Sequence, residues 1–452
     1  MTIRIFNTLT RKEESLTTLE KDHLKMYVCG PTVYDRPHLG NARSIVVYDA
    51  FFRFFRKKFA NVTYVRNITD VDDKINAAAK EQGISIQELT KKITQFFYDD
   101  INALNVLAPT VEPRATAHIP EMIAMIEQLI AKNHAYVAEG HVLFDVASYK
   151  NYGALSNRHL DELIAGARIE VASYKKNPLD FVLWKPSDEQ DDISSVFASP
   201  WGKGRPGWHI ECSAMSSKYL GSDFDIHGGG ADLQFPHHEN EIAQSCCANS
   251  GSHFARFWIH NGFLTVNGEK MSKSLKNFIT VRDLLDKEIP GIVIRFLLLS
   301  THYRKPFDFN QKALDDAAKS IEKFYSVLDK QSLLNAKDQE LPDSILQCLE
   351  DDLNISKAAA LLHELVKEAK TNIKAKDQLA ASLDFLGLAD VNFFDKKTAD
   401  VDENYIQQQI DLRHKAKQER DFAKADEIRK SLLAQGIILE DISKDKTIWK
   451  IA

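Results

Sequence analysis

Two lysines lie three residues apart in the segment Lys270-Met271-Ser272-Lys273-Ser274, on a short polar loop that follows Gly268. Serines lie between and beside them, so the loop offers ammonium and hydroxyl groups together. Such a loop can close over a triphosphate and neutralise the charge that develops when a phosphate bond is broken. Residues of the same types also form ordinary solvated turns. The interpretation as an ATP phosphate site therefore depends on a second segment far upstream.

The second segment is His38-Leu39-Gly40-Asn41, in a loop that follows a short apolar run. Apolar residues at helical spacing come next, and another strand-like run covers residues 62–68. Residues 25–68 therefore predict a strand–helix–strand unit whose first loop opens the helix, a common place for a nucleotide. Gly40 permits close approach of a ligand to the backbone. His38 can donate hydrogen bonds to phosphate oxygens without acting as a base.

Together the two segments resemble the paired signature motifs of the class I aminoacyl-tRNA synthetases, and the pair is far more specific than either segment alone. Within that class the chain resembles the cysteinyl-tRNA synthetases over essentially its whole length. Four further segments carry the resemblance: Cys29-Gly30-Pro31-Thr32-Val33-Tyr34, Arg66-Asn67-Ile68-Thr69-Asp70-Val71-Asp72-Asp73-Lys74, Gly204-Arg205-Pro206-Gly207-Trp208-His209-Ile210-Glu211-Cys212-Ser213-Ala214-Met215 and Phe235-Pro236-His237-His238-Glu239-Asn240-Glu241. Leu39 and Asn41 differ from the His-Ile-Gly-His of the wider class, but they match the form found in the cysteine-specific family.

The resemblance implies which residues take part in catalysis and in ATP binding. The implied catalytic residues are His38, Asn41, Lys270 and Lys273. The implied ATP-binding residues are His38, Gly40, Asn41, Gly228, Gly229, Gly230, Asp232 and Lys273. Three consecutive glycines permit close backbone approach, and Asp232 can accept a hydrogen bond from ribose hydroxyls or from the substrate amino group. A glycine run without a full nucleotide fingerprint also occurs in turns.

Four residues offer the atoms that could hold a metal ion: Cys29, Cys212, His237 and Glu241. His237 and Glu241 are four residues apart beside Pro236, which suits a first helical turn, so we expect them on one face. Two thiolates, an imidazole and a carboxylate suit zinc better than magnesium or calcium. Spacing alone leaves open that these are buried apolar cysteines and a surface His/Glu pair. The resemblance implies one zinc ion per chain on these four residues.

A zinc ion beside a nucleotide site could serve hydrolysis or substrate recognition. Neither His-Glu-x-x-His nor His-x-x-Glu-His occurs in the sequence, so the usual metallopeptidase patterns are missing. A zinc ion that binds the substrate thiol as a thiolate would separate cysteine from serine, because a hydroxyl is harder to deprotonate and its oxygen is a harder ligand. No segment remains for a separate editing domain.

Two further residues are assigned to the substrate. Trp208 is expected to wall the side-chain pocket, with a structural aromatic in a Gly-Pro loop as the alternative. The resemblance implies that Thr69 touches the substrate. Asp70, Asp72 and Asp73 suggest magnesium ligands, but a helix N-cap before Lys74 explains them more simply.

Composition narrows the class of protein. A chain of 452 residues with 44% hydrophobic content can bury a large core, and about two to four domains are expected. No secretory apolar segment and no bilayer-spanning apolar run is found, and the five cysteines form no disulfide-like framework, so we expect a cytoplasmic protein without membrane contact. The net charge of −6, from 58 basic and 64 acidic residues, does not favour nucleic acid overall. Local basic faces are sufficient for a tRNA.

The predicted fold class is α/β, with a Rossmann-type parallel-sheet catalytic domain split by an α/β insertion and followed by an all-α C-terminal helical-bundle region. The predicted parts are a first catalytic half (1–110), a connective insertion (111–222), a second catalytic half with the lysine loop (223–279), a connecting helical segment (280–310), a helical bundle that binds tRNA (311–394) and a C-terminal anticodon-region domain (395–452). The tRNA roles are implied by the resemblance.

A polar linker over residues 395–402 is expected to lead to a last helix with apolar Phe422 and Ile428, closed by Gly436. Basic residues including Arg413, Lys417 and Lys424 are expected on an outer face, either solvated or against an RNA backbone. Trp449 either packs or stacks on a base.

The resemblance implies a monomeric ligase that activates L-cysteine with ATP and Mg²⁺ to cysteinyl-adenylate and transfers it to the 3′-terminal adenosine of tRNA(Cys). One alternative is a cysteine ligase of the mycothiol type, which acts on an amino sugar and lacks the tRNA-reading end; the helical extension from residue 311 argues against it. A non-catalytic RNA-binding protein is disfavoured by intact His38, Lys270, Lys273 and metal candidates. A zinc hydrolase would turn over substrate without ATP.

Overall fold

A computed structural model describes residues 2–157, 172–188, 192–271, 275, 277–394, 403–434, 437–443 and 446–451. Its strands are β1 (Arg4–Asn7), β2 (Lys12–Ser15), β3 (His23–Val28), β4 (Asn61–Arg66), β5 (Ala135–Ala138), β6 (His141–Phe144), β7 (Phe181–Pro186), β8 (Gly204–Pro206), β9 (Phe224–Gly230), β10 (Ala255–Asn261), β11 (Leu264–Val266), β12 (Glu269–Lys270), β13 (Phe307–Phe309), β14 (Ile437–Ser443) and β15 (Lys446–Ile451). Its helices are α1 (Leu39–Lys58), α2 (Asp73–Gln82), α3 (Ile86–Ala103), α4 (Ile119–Ala131), α5 (Trp208–Leu220), α6 (Glu239–Ala248), α7 (Val281–Leu285), α8 (Gly291–Leu299), α9 (Gln311–Tyr325), α10 (Lys330–Leu334), α11 (Asp343–Glu350), α12 (Ile355–Ala369), α13 (Ile373–Phe385), α14 (Glu403–Gln418) and α15 (Phe422–Ala434).

Four parallel strands in the order β10-β9-β3-β4 form the central sheet. In the register of these strands, Met26 of β3 lies between Tyr64 of β4 and Ile226 of β9. The consecutive residues Met26, Tyr27 and Val28 are all buried, so both faces of β3 are covered, as is usual in a parallel sheet. Helix α1 connects β3 to β4, and the predicted strand–helix–strand unit is confirmed.

A second, antiparallel sheet in the order β5-β6-β7-β8 lies between β4 and β9 in the sequence. Helix α4 precedes it and has Pro120 in its first turn, a position that suits proline. The strand-like run over residues 136–146 forms a hairpin, because Glu139 and Gly140 both have positive φ (48° and 76°) between β5 and β6. That backbone is typical of a two-residue hairpin turn. The parallel sheet is therefore interrupted by an α/β insertion, as the predicted fold class requires.

The sequence predicts one strand over residues 258–266, and the structure breaks it at Gly262. The buried guanidinium of Arg43 in α1 donates to the backbone oxygens of Gly262 (2.8 Å), Phe263 (2.9 Å) and Lys305 (2.6 Å). A Cβ on Gly262 would lie 2.5 Å from the Lys305 oxygen. The prediction of one unbroken strand is therefore wrong. The Arg43 guanidinium binds backbone carbonyls that a neighbouring strand would otherwise bind. Strand β11 instead joins β12 and β13 in a separate sheet.

The helices after residue 310 bury the apolar residues that their spacing predicts, including Leu314, Ile321 and Leu362. Arg295 of α8 ties this region to α1. It is fully buried, pairs with Asp49, and donates to the backbone oxygens of Leu104 (3.0 Å) and Leu386 (2.7 Å). A buried guanidinium needs this many acceptors to offset its lost hydration.

The chain divides into two compact units, Met1–Leu328 with Asn335–Ala389, and Asp329–Leu334 with Asp390–Ala452. In the second unit, α14, α15 and the hairpin β14-β15 share a small apolar core, against which Trp449 packs. The packing interpretation of Trp449 therefore holds within this unit. The hairpin departs from the all-α character predicted for the region, while the remaining described elements there are helices.

Two expectations for the second unit are wrong. Arg413 is buried and makes paired hydrogen bonds with the carboxylate of Asp441 (2.8 and 2.9 Å), and Lys417 reaches the same carboxylate at 2.8 Å. Arg413 is therefore not part of an outer basic face, because the hairpin supplies it with an internal partner. Phe422, predicted as apolar core, is 65% exposed at the start of α15. The predicted linker over residues 395–402 and Gly436 lie outside the described residues.

Among the described residues, none of the helices combines the length and the apolarity needed to cross a membrane.

Candidate active site and metal centre

Four side chains from separate parts of the sequence meet at the carboxyl edge of the central sheet. Cys29 follows β3, Cys212 lies in α5, His237 lies in the turn before α6, and Glu241 lies in α6. Their ligand atoms all lie within 4.8 Å of one another. The two Sγ atoms are 3.6 Å apart, and Glu241 Oε1 is 3.4 Å from Cys29 Sγ and 3.0 Å from His237 Nε2. A tetrahedral zinc ion with bonds of about 2.0–2.3 Å would separate its ligands by roughly 3.3–3.8 Å.

The imidazole of His237 provides a test of whether a metal fits. It is 1% exposed, and its Nε2 makes no hydrogen bond of good geometry to any described residue. A buried ring nitrogen of this kind is costly unless something else binds it. The other ring nitrogen, Nδ1, lies 2.9 Å from His209 Nδ1. The four residues therefore fit a cation that binds Nε2 together with the two sulfur atoms and the Glu241 carboxylate.

His227 holds the second oxygen of Glu241. Its Nε2 is 2.9 Å from Glu241 Oε2, and both side chains are completely buried. The ring of His227 stacks on Trp258, with centroids 4.5 Å apart, which fixes its plane. A carboxylate held in this way presents its other oxygen to a metal in a fixed direction. Sequence reasoning missed His227, and its only signal is its position immediately before the glycine run.

A second imidazole, His238, offers an overlapping set of ligands. Its Nε2 is 3.4 Å from Cys29 Sγ and 4.0 Å from Glu241 Oε1, and Cys29, His227, His238 and Glu241 also lie within 4.8 Å of one another. In this set His227 is already engaged with Glu241. The set with Cys212 and His237 contains two sulfur atoms, which zinc prefers. It is the better candidate.

Neighbouring charges shift the pKa values of the cluster. The hydrogen bond from Cys29 lowers the pKa of Cys212 to about 6, with a smaller contribution from His237. Burial instead raises the pKa of Cys29 well above its usual range. Burial lowers the pKa of His237, but Glu241 and Cys212 outweigh it and raise that pKa to about 10. Cys212 is therefore the first sulfur to become a thiolate, the form that binds a cation.

Trp208 lies beside the cluster and is partly open to solvent. Its ring stacks on His237 with centroids 4.1 Å apart, and it is 39% exposed. It borders a cavity of about 310 Å³ that also touches Pro206, His209 and Glu211. Trp208 thus contacts His237 of the cluster and lines this cavity, and its role as the wall of the substrate pocket stays a prediction.

Thr69 is buried within a chain of hydrogen bonds. Its hydroxyl accepts from Asn67 Nδ2 (3.1 Å) and donates to Glu211 Oε2 (2.9 Å). Asn67 Oδ1 accepts from the backbone N–H of Gly30 (2.8 Å), next to Cys29. Burial raises the pKa of Glu211 well above its usual range. Sequence reasoning missed Asn67 and Glu211, which lie within two residues of Thr69 and Cys212 in the sequence.

His38 and Asn41 cap the first turn of α1. The backbone N–H of Asn41 donates to His38 Nδ1 (3.1 Å), and the Asn41 side chain accepts from the backbone N–H of His38 (3.3 Å). Nδ1 is thus an acceptor, so the proton of the neutral ring is on Nε2, which is free to donate. Burial lowers the pKa of His38, which favours this neutral form. A Cβ on Gly40 would lie 2.9 Å from the His38 ring, so glycine permits the ring to fold over the helix end.

The lysine loop begins close to this helix end. Lys270 is exposed at the end of β12, and the Met271 methyl lies 3.9 Å from the Cβ position of Gly40. Asn267 and Gly268 both have positive φ (51° and 80°) in the turn between β11 and β12, as a tight hairpin requires. Lys273 lies outside the described residues.

The predicted glycine cradle is part of strand β9. A Cβ on Gly228 would meet the Tyr48 ring at 2.3 Å, and one on Gly229 would meet the His238 ring at 2.7 Å. Packing against the protein itself thus accounts for both glycines. Gly230 ends the strand beside the exposed Asp232, whose charge raises the pKa of His38 against the effect of burial. Binding of ATP by these residues stays a prediction.

Asp72 caps α2 as predicted, since its side chain accepts from the backbone N–H of Lys74 at 2.7 Å. Asp73 instead pairs with Lys185 and Arg205 of the insertion sheet, at 2.8 and 2.6 Å. These contacts favour a structural role for both carboxylates.

Comparison with known proteins gives similarity over the whole chain. Residues 15–319 match the model of the tRNA synthetases class I (C) catalytic domain, and residues 345–391 match the DALR domain. A cysteine–tRNA ligase of Rickettsia prowazekii is 52% identical over 458 residues, which cover 100% of both chains. A cysteine–tRNA ligase of Rhodospirillum rubrum is also 52% identical, over 464 residues and 100% of both chains. Among solved structures, the agnB2 LeuRS of Agrobacterium radiobacter K84, in a ternary complex with tRNA and LeuAMS, is 12% identical with a TM-score of 0.55, covering 82% of this chain and 84% of that one. That likeness shows the fold alone.

Proposed function

The chain belongs to the cysteine–tRNA ligase family of the class I tRNA synthetases, and we propose that it selects L-cysteine at a bound zinc ion, activates it with ATP to cysteinyl-adenylate and transfers it to the 3′-terminal adenosine of tRNA(Cys). The observation that carries the proposal is the meeting of Cys29, Cys212, His237 and Glu241 within 4.8 Å. They converge at the sheet edge where α/β proteins bind ligands.

Selection of cysteine is assigned to the four-residue cluster, with one zinc ion per chain. When bound, zinc would stabilise the thiolate of the substrate, a form that the hydroxyl of serine does not reach at neutral pH. His227 holds Glu241 in position from behind. Trp208 walls the pocket beside His237, and Thr69 contacts the substrate. These contacts leave no need for a separate editing site.

We assign the activation of cysteine by ATP to residues at the N-terminus of α1 and to the lysine loop. The substrate carboxylate attacks the α-phosphorus of ATP in line, and the bond to pyrophosphate breaks while the new mixed anhydride bond forms. His38 donates from Nε2 to a phosphate oxygen at the N-terminus of α1, where backbone N–H groups also favour negative charge. Lys270 and Lys273 neutralise the leaving pyrophosphate, and Mg²⁺ accompanies ATP as its counterion. Gly230 and Asp232 contact the nucleoside.

Transfer to tRNA needs no nucleophile from the protein. A ribose hydroxyl of the terminal adenosine attacks the acyl carbon, and AMP leaves with the bonding electrons of the anhydride. The protein contributes positioning and electrostatic stabilisation. We propose that this activity is cytoplasmic, as supported by cysteines that remain free thiols within the described part of the chain, and that the enzyme is a monomer.

Aminoacylation with radiolabelled cysteine tests the proposal. The purified enzyme should charge a tRNA(Cys) transcript in the presence of ATP and Mg²⁺, and it should leave a tRNA(Ser) transcript uncharged. A parallel reaction offers an amino sugar of the mycothiol type as the acceptor. Charging of the amino sugar in place of tRNA would refute the proposed acceptor, and no charging by zinc-loaded, folded enzyme would refute the proposed activity.

A further inference from the structure

The loop that carries His38 and the segment that follows the lysine loop are joined by their backbones. The N–H of Leu39 donates to Ile279 O at 2.9 Å, and the N–H of Val281 donates to Pro37 O at 3.4 Å. These bonds form a bridge between His38 and Thr280. The Phe278 ring also meets the His38 ring edge-on, with centroids 5.3 Å apart. The position of His38 therefore depends on the segment that follows the lysine loop.

Asp100 lies behind this junction and binds an arginine from each side of it. It belongs to α3 and is completely buried. Arg36, two residues before His38, places Nη1 at 3.1 and 3.2 Å from the two carboxylate oxygens. Arg282, two residues after Thr280, places Nε at 3.2 Å and Nη2 at 3.0 Å from Oδ1. One carboxylate thus bridges the two loops.

Each of the two arginines that bind Asp100 makes one further contact. The Arg36 guanidinium lies 3.7 Å from the centroid of the Phe96 ring, one turn before Asp100 in α3. Arg282 also reaches Asp286 at 3.6 Å. A fully buried carboxylate is costly unless it is paired, and two guanidinium groups brought together repel each other unless a negative charge lies between them. Asp100 therefore stabilises an arrangement that its two partners would not keep alone.

We propose that Asp100 is a positioning residue for the ATP step, which fixes the His38 donor on the phosphates by holding the Arg36 loop against the Arg282 segment. The inference rests on the proposed role of His38 in binding ATP. Asp100 itself lies in the body of α3 and acts through the two arginines. Its loss should disturb the use of ATP and leave the cysteine pocket unaffected, because the cluster around Cys212 is built from other elements.

The test compares Asp100→Asn with Asp99→Asn, the neighbouring substitution. Asp99 is exposed and accepts from Gln95 at 2.8 Å, so its variant controls for loss of one charge from α3. Cysteine-dependent ATP–pyrophosphate exchange should show kcat/KM for ATP lowered about 10- to 100-fold in Asp100→Asn, as expected for a misplaced reacting group. KM for cysteine should stay within about twofold of wild type, and Asp100→Glu, which keeps the charge, should recover part of the loss.

Hydrogen exchange measured by mass spectrometry gives a readout that does not need activity. The amides of Leu39 and Val281 should exchange faster in Asp100→Asn and at the wild-type rate in Asp99→Asn, at a temperature where thermal unfolding shows all three proteins to be folded. Unchanged exchange at both amides, or an equal rise of KM for ATP and for cysteine, would overturn the proposal. If wild type shows no cysteine-dependent exchange of pyrophosphate, the proposed function fails, and the amide comparison still decides whether Asp100 joins the two loops.

Discussion

Replacing His227 with phenylalanine should weaken the binding of zinc without disturbing the surrounding packing. Phenylalanine keeps an aromatic ring against Trp258, on which His227 stacks at 4.5 Å between centroids. It removes the N–H that lies 2.9 Å from Glu241 Oε2, in a place where both residues are completely buried. The substitution therefore isolates one charge-assisted hydrogen bond to the proposed ligand Glu241, because neither the sulfur atoms nor His237 are changed.

The magnitude follows from that single bond. A hydrogen bond to a charged group contributes about 1.5–3 kcal/mol, and about 1.4 kcal/mol corresponds to a tenfold change in a dissociation constant. Zinc should therefore bind His227→Phe about 10- to 100-fold more weakly, the range usual for residues that hold a metal ligand from behind. Loss of the contact that His227 makes with Oε2 leaves the ligand direction of Oε1 less fixed.

The assay is competition for zinc with a chromophoric chelator, on protein whose folding is followed separately by thermal unfolding. His227→Gln, which can still donate an N–H, is the matched variant and should retain more of the affinity. Zinc affinity equal to wild type in a folded His227→Phe protein would refute the reasoning. It would mean that Glu241 is positioned by its own helix or that the metal uses other ligands.

Three other perturbations give separate tests. Gly40→Ala places a Cβ 2.9 Å from the His38 ring, so it should raise KM for ATP in pyrophosphate exchange about tenfold or more, with KM for cysteine unchanged; equal values for ATP would contradict the proposed position of the ring. Thr69→Val removes the donor to Glu211 at 2.9 Å and should raise KM for cysteine about 2- to 10-fold, as expected for one hydrogen bond; unchanged kinetics would exclude a role in binding. The guanidinium beside Asp441 lowers the pKa of that carboxyl, so Asp441 stabilises the folded state above the unfolded pKa and loses this contribution as pH falls below about 4. Asp441→Asn should therefore lower the thermal midpoint at pH 7, by a difference that shrinks progressively as pH falls from about 4, and a difference that stays the same from pH 7 to pH 2 would contradict the assignment.

The site residues that the sequence predicts are those whose chemical roles can be inferred from a short segment of the sequence. His38 and Gly40 lie at a helix start that the strand–helix–strand pattern places at the sheet edge. The resemblance grouped four residues as metal ligands: Cys29, Cys212, His237 and Glu241. They are spread over some two hundred positions, so their spacing in the sequence does not indicate that they are close in space. The structure provides that geometry. Alternation and helical periodicity specify which face of an element is buried, but they carry no distances between elements.

The missed residues owe their roles to contacts between distant segments. His227 holds Glu241 only because β9 and α6 pack together, and Asn67 reaches Gly30 across two loops. The predicted single strand over residues 258–266 fails because Arg43, more than two hundred positions away, binds the carbonyls at Gly262. Arg413 was assigned to the surface from its charge, yet Asp441 in the hairpin gives it a buried partner. Charge and composition alone do not identify such partners.

We propose that the chain activates cysteine and distinguishes it from serine through a metal held by Cys29, Cys212, His237 and Glu241. The decisive measurement is ATP–pyrophosphate exchange with cysteine or serine, on enzyme as purified and on enzyme stripped by a zinc chelator and then reloaded. We expect exchange with cysteine alone, lost on stripping and restored by zinc. Exchange that persists in the zinc-free enzyme with the same preference for cysteine would show that the metal does not select the substrate.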